Sequence, residues 1–184
     1  INPSIAVANY IRARHPEAEL SYIGTKRGLE SKLVPDADIE FHTIDVEGFQ
    51  RTLNFTNIKR NISAASKLLS ASSNAKKLLL KIKPDVVMGT GGYVSGPVLR
   101  QAAKLGIKCC IHEQNAFAGK ANKLLAPHMD AVMLAMPEAA KFFNSKNDPI
   151  ITGNPVREDS EDAASMVGVD FILNVVLDPE KRII

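Results

Sequence analysis

The sequence contains no apolar run approaching the ~20 residues that a membrane-spanning helix needs, so it predicts no bilayer crossing. Cysteine is scarce: Cys109 and Cys110 are the only two, and they are adjacent within an apolar stretch. Neighbouring thiols cannot staple a fold, so a disulfide scaffold is excluded and both read as reduced, buried cytosolic groups. Acidic residues are missing altogether between Gly48 and Pro84, a stretch that carries Arg51, Lys59, Arg60, Lys67, Lys76, Lys77, Lys81 and Lys83. Aromatics in that block are limited to Phe49 and Phe55, so it lacks the stacking platforms of single-strand nucleic-acid binders, and no nucleic acid is expected. No His, Cys, Asp or Glu spacing resembles a metal site, since His15, His42 and His128 stand alone. Neither Walker A nor the dinucleotide fingerprint is present, and no G-x-S-x-G elbow occurs.

What is present is ordinary for a folded chain. With 184 residues, 45% hydrophobic and 23% charged, it has the size of one full domain with room for a short appendage, and wholesale disorder is excluded. The chain opens on Ile1 without a signal-peptide pattern and is read as a piece of a longer one. Its net charge of +3 conceals an asymmetry, because outside the basic block the balance is acidic. Such a block usually faces an anionic partner. Ile58, Ile62, Ala65, Leu69, Ala75, Leu79 and Ile82 recur there at helical spacing, with Leu68, Leu78 and Leu80 widening the stripe. Two readings fit this pattern. One is a surface helix that packs the stripe on the core; the other is a basic amphipathic element whose exposed apolar residues dip into an anionic bilayer interface.

The remaining pattern alternates. Asn2 reads as an N-cap with Pro3 at the first helical position, opening a helix that ends at His15-Pro16. A strand over Glu19 to Ile23 follows, then a helix near Leu29 to Val34 closed by Pro35, and a β-rich segment from Ile39 to Val46 whose phase change allows a bulge. Beyond the block, strands are expected at Asp85 to Met88, Lys108 to Ile111, Ala131 to Ala135 and Ile150 to Thr152. Helices are expected at Pro97 to Leu105, Asn122 to Leu125 and Pro137 to Phe143. This order predicts an α/β fold, a Rossmann-like open parallel sheet with helices on both faces.

Ligands of open α/β sheets bind beyond the carboxyl ends of the strands. The loops there are Gly24 to Gly28, Gly89 to Pro97, His112 to Ala116 and Gly153 to Arg157, and topology gathers them on one rim. In the second, Gly91, Gly92, Tyr93, Ser95 and Gly96 combine free backbone N–H groups, a hydroxyl and a helix start, which suits a phosphate or diphosphate; a plain strand–helix turn fits too. Glu113 could serve as a general base or hold a sugar hydroxyl, while His112 reads either as a site residue or as a satisfied structural histidine. Asn115 offers an amide to hydroxyls or a carbonyl. Arg157 suits a phosphate or carboxylate, or a structural ion pair.

Taken together, several stretches resemble a known family. They are Asn2-Pro3 with its helix, Gly24-Thr25-Lys26-Arg27-Gly28-Leu29-Glu30, the Gly91 to Pro97 run, His112-Glu113-Gln114-Asn115-Ala116, Asn122-Lys123 and Gly153-Asn154-Pro155-Val156-Arg157. The resemblance is to glycosyltransferase family 28, the MurG-type N-acetylglucosaminyltransferases of peptidoglycan synthesis, and it covers residues 1–158. It implies the N-terminal, acceptor-binding and membrane-associating half of a GT-B fold, inversion at the sugar, and neither metal nor cofactor. UDP-GlcNAc would be the donor, and undecaprenyl-linked lipid I the acceptor that becomes lipid II, with roles in cell-wall biogenesis, cell shape and division.

The resemblance also implies residue roles. Gly91, Gly92, Tyr93, Ser95 and Gly96 would face the acceptor diphosphate, Asn115 and Arg157 the donor, and Glu113 would do acid/base or binding work. Lys59, Arg60, Lys67, Lys76, Lys77, Leu79, Leu80 and Lys81 would face the anionic inner-membrane surface, on the cytoplasmic side. The family's first strand, its Gly-rich loop ending in His and its C-terminal half have no counterpart here, and residues 159–184 do not match. The chain alone is therefore expected to lack transferase activity. The alternatives are another sugar-nucleotide GT-B enzyme, such as a glycolipid synthase or a 2-epimerase-like relative, and a non-catalytic module for anionic membranes or phosphate.

Overall fold

A computed structural model describes residues 1–46 and 55–155, the latter as backbone alone over 55–67. The elements run α1 (Asn2–Arg14), β1 (Ser21–Gly24), α2 (Glu30–Asp36), β2 (Glu40–Thr43), α3 (Phe55–Ile82), β3 (Val86–Gly89), α4 (Ser95–Lys104), β4 (Lys108–Glu113), α5 (Lys120–Leu125), β5 (Ala131–Leu134) and β6 (Ile150–Ile151). Pro137–Phe142 is 3-10 rather than the expected α-helix. The expected bulge near Phe41 is replaced by regular parallel pairing, Phe41 opposite Tyr22 and His42 opposite Ile23, with Ile44 N–H donating to Gly24 O at 3.0 Å.

All strand pairs are parallel, as the α/β alternation requires. They form a two-stranded sheet, β1-β2, and a four-stranded sheet in the order β3-β4-β5-β6. Parallel strands covered on both faces carry apolar residues on both, and β4 and β5 do so in alternation. Cys109, Ile111, Val132 and Leu134 pack with Leu79, Leu99, Ala102 and Leu125 of α3, α4 and α5. Cys110, Ala131 and Met133 point the other way, against Val7 and Tyr10 of α1. Burial, reinforced by the charge of Asp130, pushes the Cys109 thiol up to about 12, and burial does the same to Cys110. Thiolate is the reactive form, so both cysteines are inert core residues.

Local chemistry explains where two boundaries differ from expectation. The helix α1 is capped by Ile1, and Asn2 already lies inside it without a side-chain capping bond. Pro35 lies in the last turn of α2 rather than beyond it, and the chain reverses through Asp38 in the left-handed region (φ 55°). Helix α3 is the longest element, with 28 residues spanning about 42 Å at 1.5 Å each. Its inner side buries Ala71, Ala75 and Leu79, and Gln101 Nε2 of α4 donates to Ser72 Oγ at 2.6 Å. Among the described residues no helix is long and apolar enough to cross a membrane.

Candidate functional site

The loop after β3 is shaped by glycine. Gly91 and Gly92 lie at φ 91° and 85°, a region L side chains rarely occupy, so the backbone can reverse tightly there. A Cβ at Gly92 would meet nothing within 4 Å, and Tyr93 beside it is 68% exposed, so the turn stands open to solvent. The turn leads into α4, whose N-cap Val94 makes no side-chain capping bond. First-turn N–H groups of such a helix are free to meet an anion. Ser95 differs from expectation: its hydroxyl donates to Gly91 O at 2.6 Å, closing the turn instead of offering a proton to a ligand.

His112 and Glu113 are the last residues of β4, not loop residues, and both are buried. The imidazole Nδ1 accepts from Gln114 Nε2 at 3.0 Å, so Nε2 carries the proton and donates to Gly153 O at 2.9 Å. This bond ties the end of β4 to the loop after β6. Burial lowers the His112 pKa and keeps the ring neutral, although the Gly153 carbonyl and the Glu113 charge act the other way. Of the two sequence readings, the satisfied structural histidine is the one that these contacts describe.

Glu113 is 2% exposed, yet its carboxylate is fully engaged. Oε1 accepts from Asn115 N (3.0 Å) and Asn115 Nδ2 (2.9 Å), and Oε2 from Gly119 N and Asn122 Nδ2 (both 2.9 Å). Burial raises its pKa, but these N–H donors together outweigh burial and hold the carboxyl below the ordinary glutamate value. A carboxylate so stabilised is a weak proton acceptor. Its evident work is to fold residues 113–122 into one loop and to fix Asn115, whose side-chain oxygen remains outside these bonds. Asn122, which the sequence offered as a helix start and as part of a family motif but not as a site residue, thus proves central. Its place in the first turn of α5 was the available signal.

Other contacts draw the strand ends together. Ser4 Oγ of α1 and Thr90 Oγ1 after β3 are 2.9 Å apart, and the Tyr22 hydroxyl of β1 also bonds Ser4. Thr25 N and Oγ1 donate to Glu30 Oε1 at 3.0 and 2.7 Å, so the loop after β1 closes on its own carboxylate while Lys26 and Arg27 stay exposed. Gly91 neighbours Asn122, for a Cβ built there would lie 3.7 Å from Nδ2. The loops after β3, β4 and β6 therefore meet at one rim. Gly96 lies in the first turn of α4 with open space around its α-carbon. Arg157 falls outside the described residues.

The outer side of α3 has another character. Lys76, Lys77 and Lys81 are exposed, together with Leu68, Leu69 and Leu80. Leu79, expected to face a membrane, is instead 2% exposed and packs with Leu99 and Leu134, because one residue is a 100° turn of the helix away from Leu80. Leu69, counted in the packing stripe by its spacing, is 76% exposed. Lys59, Arg60 and Lys67 lie on the helix, but their side chains are outside the described set.

Residues 1–134 match the Glycosyltransferase family 28 N-terminal domain. A UDP-N-acetylglucosamine–N-acetylmuramyl-(pentapeptide) pyrophosphoryl-undecaprenol N-acetylglucosamine transferase of Ruminiclostridium cellulolyticum is 46% identical over 159 residues, covering 86% of this chain and 43% of its own length. The enzyme of the same name from Lactococcus lactis subsp. cremoris is 44% identical over 167 residues, 91% of this chain and 45% of its own. The crystal structure of Acinetobacter baumannii MurG superposes with a TM-score of 0.67 at 32% identity, over 87% of this chain and 43% of that one. A Neisseria meningitidis UDP-GlcNAc 2-epimerase, at TM-score 0.57 and 11% identity over 98% of this chain and 50% of its own, shares the fold alone. The chain spans less than half the length of the curated relatives it matches. On this evidence the chain belongs to glycosyltransferase family 28, whose N-terminal domain it carries.

Proposed function

We propose that residues 1–158 form the acceptor-side domain of an inverting, UDP-GlcNAc-dependent hexosyltransferase. The reaction is transfer of GlcNAc to the MurNAc hydroxyl of undecaprenyl-diphospho-MurNAc-pentapeptide, converting lipid I to lipid II. The observation that carries the reading is the paired left-handed Gly91–Gly92 turn at the start of α4, open to solvent and resting on the buried Glu113–Asn122 network. Backbone N–H groups there and the positive end of α4 would hold the acceptor diphosphate, with Gly96 keeping the first turn clear. The Tyr93 ring borders the same opening. Asn115, fixed by Glu113, would present its amide to the donor sugar, and Arg157 would join it. Glu113 then acts as a positioning residue.

The exposed lysines and leucines of α3 support docking on the anionic cytoplasmic leaflet as a peripheral protein. Attraction is about 1 kcal/mol per well-placed Lys, so three suffice to hold the domain near the lipid-linked acceptor. Residues 159–184 have no part in this reading, and the 184-residue chain alone is expected to form no lipid II.

The test is a titration of the chain with a soluble short-chain analogue of lipid I, and separately with UDP-GlcNAc. The analogue should bind, be displaced by inorganic pyrophosphate, and lose at least ten-fold in affinity in Gly92→Asp, which puts a negative charge into the turn. Failure of the analogue to bind, or displacement by UDP-GlcNAc but not by pyrophosphate, would overturn the assignment.

A further inference from the structure

Asn122 holds the one buried side-chain polar atom of this rim without a partner among the described residues. Its amide nitrogen is committed, donating to Glu113 Oε2 at 2.9 Å and approaching His112 O at 3.4 Å. A flip of the amide would set its oxygen against the carboxylate, so the orientation is fixed by charge. Oδ1 consequently faces away from Glu113, is buried, and accepts no bond from the described residues. Leaving a buried acceptor unpaired is costly, so a state that supplies it with a donor is favoured by that amount. The adjoining segment is the Gly91–Gly92 turn: a Cβ built at Gly91 would lie 3.7 Å from Asn122 Nδ2, and glycine tolerates either sign of φ, so the turn has conformational room to swing toward the amide.

We propose that Asn122 is a positioning residue that couples the Gly91–Gly92 turn to Asn115. When a diphosphate draws the turn into register with the start of α4, a turn N–H settles on Asn122 Oδ1. The amide, anchored at its other end on Glu113 Oε2, shifts the carboxylate, and Oε1 carries the shift to the backbone and side chain of Asn115. The path has two ends that differ in chemistry, an anion cradle and a sugar-facing amide, joined by one buried side chain. Occupation of the acceptor loop thereby sets the amide that meets the donor. The inference rests on the reading of the turn as the diphosphate loop, and it adds a coupling between the two ends of the rim that the reading does not contain.

The experiment is a titration of the ¹⁵N-labelled 184-residue chain with sodium pyrophosphate at constant ionic strength, followed by NMR. In the wild type the Gly91 and Gly92 amides and the side-chain NH₂ pairs of Asn122 and Asn115 should move together on one binding curve. Movement of Gly91 and Gly92 with both side-chain pairs still would overturn the coupling while leaving the anion site intact. No movement anywhere would overturn the anion site and the coupling with it. In Asn122→Leu, pyrophosphate affinity should fall roughly five-fold or more, the lower end of typical coupling between sites, and the Asn115 pair should stop responding. Undiminished affinity, or an Asn115 response that survives, would contradict the proposal. The wild-type titration decides the matter even where the leucine variant does not fold.

Discussion

The rim at the strand ends and the outer side of α3 are both polar, but they handle polarity in opposite ways. At the rim the Glu113 carboxylate is turned inward and stabilised by four N–H donors, from Asn115, Gly119 and Asn122, while the His112 ring is held between Gln114 and Gly153. On α3 Lys76, Lys77 and Lys81 are exposed beside exposed leucines, in a stretch without a single acidic residue. An inward network fixes backbone geometry and is paid in stability when broken. An outward patch contributes little to folding and is available to a partner. The difference separates what holds the rim together from what stays available to a partner.

The largest expected effect lies at the rim. Glu113→Gln leaves N–H donors facing an amide NH₂, and urea denaturation should show a loss of about 3 kcal/mol, in the range for hydrogen bonds to a buried charge. A loss below about 1 kcal/mol would mean that the network is not what holds the 113–122 loop. Leu79 and Leu80 sharpen the contrast, being neighbours with opposite surroundings. Leu79→Ala should destabilise by about 2–5 kcal/mol with vesicle binding per folded molecule unchanged. Leu80→Ala should stay within about 0.5 kcal/mol in stability while weakening sedimentation with anionic vesicles. Reversal of that pattern would exchange the faces of α3. Replacing Lys76, Lys77 and Lys81 by Glu should reduce binding to anionic vesicles on the order of 100-fold, about 1 kcal/mol per lysine, and leave thermal stability nearly unchanged.

The smallest effect is a pH dependence. His112 has a lowered pKa in the fold, so the unfolded chain binds more protons below its value near 6.5; stability is full above about pH 6.5 and falls on acidification toward the folded value. Glu113 is also lowered, so its contribution is present above the ordinary glutamate value of about 4.3 and is lost as pH falls through its folded value. Denaturation midpoints from pH 8 to 3 should show both steps. Glu113→Gln should shrink the lower one, leaving the share of Glu30, where burial raises the pKa but the Thr25 donors hold the carboxyl below the ordinary value.

The sequence made the parallel α/β order legible because strands buried on both faces read as apolar runs, as at Asp85 to Met88 and Lys108 to Ile111, while the continuation of β4 through the polar His112 and Glu113 was not. It also placed the Gly-rich turn, since only glycine suits two successive left-handed residues. Side-chain direction was less legible. The basic block gave the helix, but stripe spacing put Leu69 and Leu79 on one inner side, and only Leu79 is buried there; the resemblance had turned Leu79 toward a membrane, which its packing against Leu99 corrects. Hydroxyl and amide roles were hidden as well: Ser95 looked available until its bond to Gly91 O was seen, and the bonds that saturate Glu113 come from residues up to nine positions away. Spacing shows which residue types are present, whereas three-dimensional partners decide whether their donors and acceptors remain free.

In the function proposed above, the α3 patch and the Gly91–Gly92 turn serve one lipid-borne ligand. The most direct test is co-sedimentation of the chain with vesicles of phosphatidylglycerol, with and without a small fraction of undecaprenyl diphosphate. Binding to phosphatidylglycerol alone is expected, with a several-fold increase on adding the diphosphate lipid that Gly92→Asp removes. Binding that ignores the diphosphate lipid, or an increase that survives in Gly92→Asp, would contradict that function.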